Sequence, residues 1–526
     1  MHNHSKAFSP FCPTCLADND GSRRSFLRSL GLMGALASAP VLQGCGGASA
    51  APVEVSKPAA SQNTILIRNA YVATANATST VFRDGAVFIQ NGIIKAVGQT
   101  SAVTAQYPTA DLVIDAVGKL VMPGFVNTHW HATHVFRAEA YDETLETANT
   151  SSFDRGGKMP GVSDALGNLF TLTQNLKITP DEAYLCVAAQ LLPMLRAGTT
   201  TVVEMSGPFG DVLPQVALDL GMRVVPAYSL VDRAMLDGNL SESIADTDKI
   251  LTGASDYIDT WINHPSGLVH PWLVYAYAPM ASDRLLTGIK KLSDKHKLCY
   301  GGHTAALRNE VPYTQAVYGA SPIDRLDKLG LLSSRFMGTH MAWLSDSEIK
   351  KVKTAGASAS LAPAKYAQSG EDTISAGAGV KMIREGINLC LGSDGSGWND
   401  SPIPTHMHFS MMFNEAGNDS QIVQALNAFQ MGTANGAKAV GLGDKTGSLE
   451  VGKMADISIG DISDLRYVQA SDVVFNFIAN AGMKDIATVI VNGRVVVNDG
   501  RVKNMSESEV ATKFKTTIQA IRGRMA

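Results

Sequence analysis

The chain has 526 residues, more than one average domain, with ordinary apolar content and a formal net charge of −4. That balance, with no basic stripe along the chain, argues against nucleic acid as a partner. The six cysteines form no regular framework of pairs, and Cys186, Cys299 and Cys390 fall inside apolar runs, where buried thiols are expected.

The first fifty residues read as targeting, not fold. SRRSFLRSLGLMGALASAPVLQGC sets Arg23-Arg24 and Phe26-Leu27 ahead of an apolar run from Leu30 to Leu42, the pattern of a twin-arginine export signal over residues 1–45. The run is too short and too interrupted to span a bilayer as a helix. The twin-arginine machinery carries folded proteins, and a periplasmic or exported location is expected. Leu42-Gln43-Gly44-Cys45 also resembles a lipobox, in which Cys45 would be acylated as a membrane lipid anchor; a plain signal cleaved nearby is the alternative. Cys12 and Cys15 form a CxxC with no second pair nearby to complete a zinc site. Residues 46–62 are Gly-, Ala-, Ser- and Pro-rich and read as a flexible tether.

Residues 63–122 carry short strand patterns, TILIRNAYV, GAVFIQ, IIKAVG and LVIDA, with Asn91-Gly92 predicting a tight hairpin. The device recurs at Asn492-Gly493 in ATVIVNGRVVVNDG, within residues 446–505. Two β-rich ends flanking an α/β middle are expected to pair into one small β-sandwich. Across residues 123–445, strand-like runs such as TTVVEM, MRVVPAYSL and WLVYAYAP alternate with helix-length segments, which predicts parallel strands with crossover helices. Residues 506–526 read as a terminal helix.

The middle opens on VMPGFVNTHWHATH, a buried strand pattern that ends in His129 and His131. Side chains two apart on a strand share a face, so both imidazoles can reach one metal ion. One HxH is a weak signal, but further pieces follow in order: His303 in LCYGGHTAALRNEV, His340 in RFMGTHMAWLSDSE and Asp394 in INLCLGSDGSGWND. Each ends a short apolar run, as ligands on successive strands would. A second HxH, His406 and His408 in PIPTHMHFSMMF, stands among prolines and reads as loop or helix start, not as ligands.

PGFVNTHWH, the later histidines, LGSDG and GTANGAKAVGLGDKTGSLEVGKMADISI together resemble the amidohydrolase superfamily. The similarity runs through residues 64–505, in the branch that holds cytosine, guanine and S-adenosylhomocysteine deaminases and the triazine chlorohydrolases. The resemblance implies an α/β fold, a (β/α)8 TIM-like barrel with its site at the C-terminal strand ends and a small β-sandwich domain built from both chain ends. It implies that His129, His131, His303 and Asp394 hold one divalent ion, zinc first and ferrous iron as the alternative. Such an ion lowers the pKa of a bound water. Asp394 would accept that water's proton, and His340 would orient the nucleophile and support charge on the tetrahedral intermediate. No lysine stands at the ends of MRVVPAYSL or WLVYAYAP, where binuclear relatives carry a bridging lysine, so one metal is expected. A homodimer is implied by the resemblance alone.

Two departures bear on the reaction. The deaminase branch carries a proton-shuttling glutamate three residues after the third histidine, and here that position is Ala306. A histidine that contacts substrate before that strand is absent, and Tyr277 stands near its place. Candidate substrate contacts are therefore Tyr277, His134, Phe136 and Arg137 after the first ligand pair, and Trp398, Asn399 and Asp400 after Asp394, with ordinary loop packing as the plainer reading. The expected function is an exported, mononuclear metal-dependent amidohydrolase that cleaves an amide, lactam, carbamate or similar C–N bond in a small cyclic compound. Hydrolytic deamination or dechlorination of a heteroaromatic ring is the alternative, and a metal-bearing binding lipoprotein without chemistry is the second.

Overall fold

The computed structural model describes residues 63–136, 177–207, 209–236, 240–369, 377–395, 402–412, 423–468 and 471–525. The export signal, the tether, Arg137 and Trp398 lie outside these residues.

The two chain ends meet in one nine-stranded sheet. Its order is Arg501–Val502, Arg494–Asn498, Ile486–Val491, Ile457–Asp461, Lys119–Pro123, Thr64–Ala73, Val81–Gln90 and Ile93–Gln99, with Leu112–Asp115 also along Thr64–Ala73. The seam between the ends is antiparallel, Ile459 standing opposite Val121. Period-two alternation puts Ile65 and Ile67 in a cluster with Val121, Ile457 and Ile490, while Leu66 turns the other way, toward Phe88 and Val103. Both predicted hairpins form. Asn91 and Gly92 take φ of 52° and 80°, and Asn492 and Gly493 take 48° and 72°, the positive values that such two-residue turns need. The two tips touch, since a Cβ on Gly493 would lie 2.4 Å from Gly92 Cα. The expected union of the ends is thus one continuous sheet, and the separate second layer of a sandwich is not drawn by these pairings.

The middle is built of parallel strands with intervening helices, as the alternation predicts. One parallel sheet runs Phe125–Trp130, Thr199–Glu204 and Arg223–Val225; the other runs Ala227–Leu230, Trp272–Tyr277, Tyr300–Thr304, Phe336–His340, Ser358–Leu361 and Asn388–Leu391. The expected closed eight-stranded ladder is therefore interrupted at two places. Pro226 separates Arg223–Val225 from Ala227–Leu230 and has no N–H to donate, so the chain passes from one sheet to the other there. At the opposite break the first and last strands share a single parallel bridge, Trp130 with Asp394. The architecture is TIM-barrel-like in strand direction and helix alternation, with the ladder in two arcs.

Helix Pro180–Arg196 starts on a capping box between Thr179 and Glu182. The terminal helix Glu507–Met525 lies along it, with Arg196–Glu507 and Arg524–Glu182 ion pairs both at 2.7 Å. Cys186, Cys299 and Cys390 are buried free thiols. No helix among the described residues is long and apolar enough to cross a membrane.

Candidate metal centre

His129 is the fifth residue of Phe125–Trp130, and His131 follows that strand. Asn127 shares their face by the same period of two, and it fastens the first strand to the segment after the last. Its Nδ2 donates to Ser393 Oγ at 2.8 Å, and its Oδ1 accepts from Ser393 N at 3.0 Å and from His129 N at 3.3 Å. Asp394 N then donates to His129 O at 2.8 Å. This close approach depends on Gly392, where a Cβ would lie 2.3 Å from His129 Cβ and 2.6 Å from its backbone N. The LGSDG motif thus sets the Asp394 carboxylate beside the first histidine pair.

His303 belongs to Tyr300–Thr304 and His340 ends Phe336–His340. The structure brings all five side chains together, each under 9% exposed. His129 Nε2 lies 3.0 Å from His131 Nε2, which in turn lies 3.2 Å from His303 Nε2. Asp394 Oδ1 stands 3.6 Å from His129 Nε2 and 3.7 Å from His131 Nε2, and Oδ2 stands 3.9 Å from His340 Nε2. Two sets, His129–His303–His340 and His129–His131–Asp394, each have donor atoms within 4.8 Å of one another, and no other metal-capable group occurs among the described residues. His340 and Asp394 have φ of 69° and 59°, left-handed values that are uncommon for such residues and concentrate at functional sites.

The donor set fits a divalent ion. His303 Nδ1 faces the Ala276 carbonyl at 2.5 Å. A carbonyl only accepts, so Nδ1 carries the proton and Nε2 turns a bare lone pair to the centre. A bound cation offsets the desolvation of imidazole nitrogens and a carboxylate converging in a buried space. Burial, followed by the charge of Lys365, pushes His340 down to about 3, so this imidazole is neutral near pH 7.

Around the cluster, the Tyr277 ring stacks on His303 with centroids 4.6 Å apart and planes 15° from parallel. Ala306 lies at the edge of an apolar group with Tyr277, Met280, Leu307 and Tyr313. The loop that carries it is held by Glu310, which accepts from Ala305 N at 2.9 Å and Ala306 N at 2.8 Å. Burial pushes Glu310 up to about 7, against the pull of backbone N–H groups from Ala306, Ala305 and Leu307.

Of the other predicted contacts, His134 is in the turn Ala132–Phe136, with its side chain outside the described residues, as Arg137, Trp398, Asn399 and Asp400 are entirely. His406 and His408 sit inside helix Ile403–Ser410, neither in a metal-capable group. Sequence reasoning passed over Asn127, although the alternation that selects His129 and His131 reaches it too. It also passed over Tyr366, whose hydroxyl lies 2.9 Å from His340 Nδ1; only its position just past a strand end could have flagged it.

The sequence profile of the amidohydrolase family matches residues 120–496. The chain is 26% identical over 468 residues to the 5'-deoxyadenosine deaminase of Methanosarcina mazei, covering 88% of this chain and 99% of that one. It is 27% identical over 463 residues to the 5-methylthioadenosine/S-adenosylhomocysteine deaminase of Pyrococcus furiosus, covering 86% and 100%. In fold it is similar to an adenosine deaminase from Xanthomonas campestris with bound zinc, with TM-score 0.76 and 24% identity over 87% of this chain and 98% of the other. The zinc complex of atrazine chlorohydrolase from Arthrobacter aurescens is similar as well, with TM-score 0.73 and 21% identity over 86% and 100%.

Proposed function

The chain belongs to the amidohydrolase family, and we propose that it hydrolyses a C–N bond in a small, cyclic, nitrogen-bearing compound whose leaving group departs without a second carboxylic acid, at position 306, beside it. It is a metal-dependent hydrolase of non-peptide C–N bonds that takes a single divalent ion, and its donor set suits zinc. In this reading His129, His131, His303 and Asp394 hold the ion. When bound, the ion supplies a water acidic enough to act as nucleophile near neutral pH. Asp394 would take the proton of that water and pass it to the departing nitrogen as the C–N bond breaks, and neutral His340 would donate a hydrogen bond where negative charge grows on the substrate.

The observation that carries the choice of bond is Ala306. A methyl group beside an apolar cluster stands where deaminases of this branch carry the acid for the ring nitrogen. The nearest downstream carboxyl, Glu310, has an oxygen committed to each of the Ala305 and Ala306 amides. An amide, lactam or carbamate, whose leaving group needs less proton help, suits that wall. Tyr277 forms one side of the substrate space, with His134, Arg137 and Trp398 as further contacts.

Ring deamination is the second reading, favoured by the near full-length similarity to adenosine-type deaminases. Export by the twin-arginine route, with or without an anchor at Cys45, and a homodimeric state complete the proposal. The deciding experiment incubates metal-loaded mature protein with cyclic amides, carbamates, aminopurines, aminopyrimidines and triazines, following ammonia and carboxylate together. A new carboxylate or amine without ammonia is the expected result. Ammonia from an aminated ring would select deamination, with another group replacing the acid lost at Ala306.

A further inference from the structure

His303 and His340 present their Nε2 atoms to the same centre, yet their second nitrogens meet different chemistry. His303 Nδ1 faces the Ala276 carbonyl at 2.5 Å, an acceptor only. His340 Nδ1 faces the Tyr366 hydroxyl at 2.9 Å, a group that can donate. Tyr366 is 1% exposed and belongs to helix Pro363–Ser369, which begins just beyond strand Ser358–Leu361, at the same end of the sheet as the metal-capable residues.

Distance alone does not settle what His340 does. Its ring nitrogen falls within 4.8 Å of those of His129 and His303, the same bound that the donor atoms of His129, His131 and Asp394 meet. An imidazole that near can coordinate a metal through a bare Nε2 or hold Nε2–H as a donor, and the partner of the other nitrogen selects between the two. We propose that Tyr366 is a positioning residue that donates its hydroxyl proton to His340 Nδ1, leaving Nε2 protonated. His340 is thereby kept out of the ligand set and aimed as a neutral donor at the nucleophile and at the growing charge. The carbonyl behind His303 imposes the opposite tautomer, so ligand and donor are separated by what stands behind each ring.

This inference rests on the reading of His340 as a donor, and its tests do not depend on which bond the protein cleaves. In zinc-loaded wild-type protein labelled with 15N-histidine, with the His340 signals assigned by their loss in His340→Gln, the shifts should report a proton on Nε2 and none on Nδ1. A proton on Nδ1 overturns the proposal. In Tyr366→Phe the constraint is gone. The cobalt(II)-loaded variant should show a changed visible absorption spectrum as His340 competes for the ion. With any substrate found, kcat should fall about tenfold or more while KM changes little. A folded variant with wild-type spectrum and kcat overturns the proposal; if the variant does not fold, the nitrogen shifts of the wild-type protein decide.

Discussion

At the scale of single residues, Glu310 is a carboxyl kept out of water and tied to the two amides after His303. Its folded pKa, raised to about 7 by burial, exceeds the unfolded value. The folded state therefore holds this proton more tightly. The resulting stability is complete below the unfolded pKa and is lost as pH rises through the folded one. The displacement corresponds to about 3 kcal/mol at most. Glu310→Gln should remove this dependence, so its melting temperature should gain on the wild type between pH 4.5 and 7.5 in paired thermal melts. A constant offset across that range would separate Glu310 ionisation from stability. His303→Ala is expected to lose bound metal and activity together, measured by elemental analysis and hydrolysis of the same preparation; retention of both would remove His303 from the ligand set.

At the scale of elements, the centre depends on two segments far apart in sequence that run side by side. Asn127 bonds to Ser393, and Gly392 admits the backbone of His129. Gly392→Ala puts a methyl within 2.3 Å of His129 Cβ, and neither neighbour is a flexible chain end that could yield. The two backbones must separate, which moves Asp394 away from the histidine pair. Faster loss of metal to a chelator is expected, with a melting temperature lowered by a cost of about 1–3 kcal/mol. Unchanged metal retention would show that the seam does not govern the site. Asn127 was passed over in the sequence, although the alternation that selects His129 and His131 reaches it. Its partner at Ser393 was not legible, because pairing across 266 residues leaves no trace in local pattern.

At the scale of the whole molecule, the middle is joined to the terminal sheet by a buried ion pair. Arg223 and Asp456 are 1% and 2% exposed. Arg223 Nε donates to Asp456 Oδ2 at 2.7 Å and Nη2 donates to Oδ1 at 3.0 Å, while Nη1 reaches the Gly267 carbonyl at 2.6 Å. Asp456 Oδ1 also accepts from Asn492 N at 2.8 Å, beside the second hairpin tip. His270 lies 3.1 Å from Arg223 Nη1; burial and then that charge push it down to about 4, so it stays neutral near pH 7. Arg223→Met or Asp456→Asn alone leaves a buried charge uncompensated and should cost about 3–5 kcal/mol in denaturant unfolding. The double variant should cost less than the sum of the two. Strict additivity would mean that the residues act separately.

What the sequence by itself determined follows from local rules. Alternation put His129 and His131 on one face, apolar runs marked the strand ends that carry His303, His340 and Asp394, and Asn-Gly pairs marked two hairpins. Each of these is a relation between residues close in the chain, where spacing and backbone preference suffice. Tertiary structure alone decided that Pro226 divides the parallel strands between two sheets, and that the paired chain ends form one continuous sheet instead of the expected sandwich. It also decided that Tyr366, and not a carbonyl, stands behind His340. Those outcomes depend on hydrogen-bond partners brought from distant segments, and a partner's identity is set by packing in space, which no window of sequence contains.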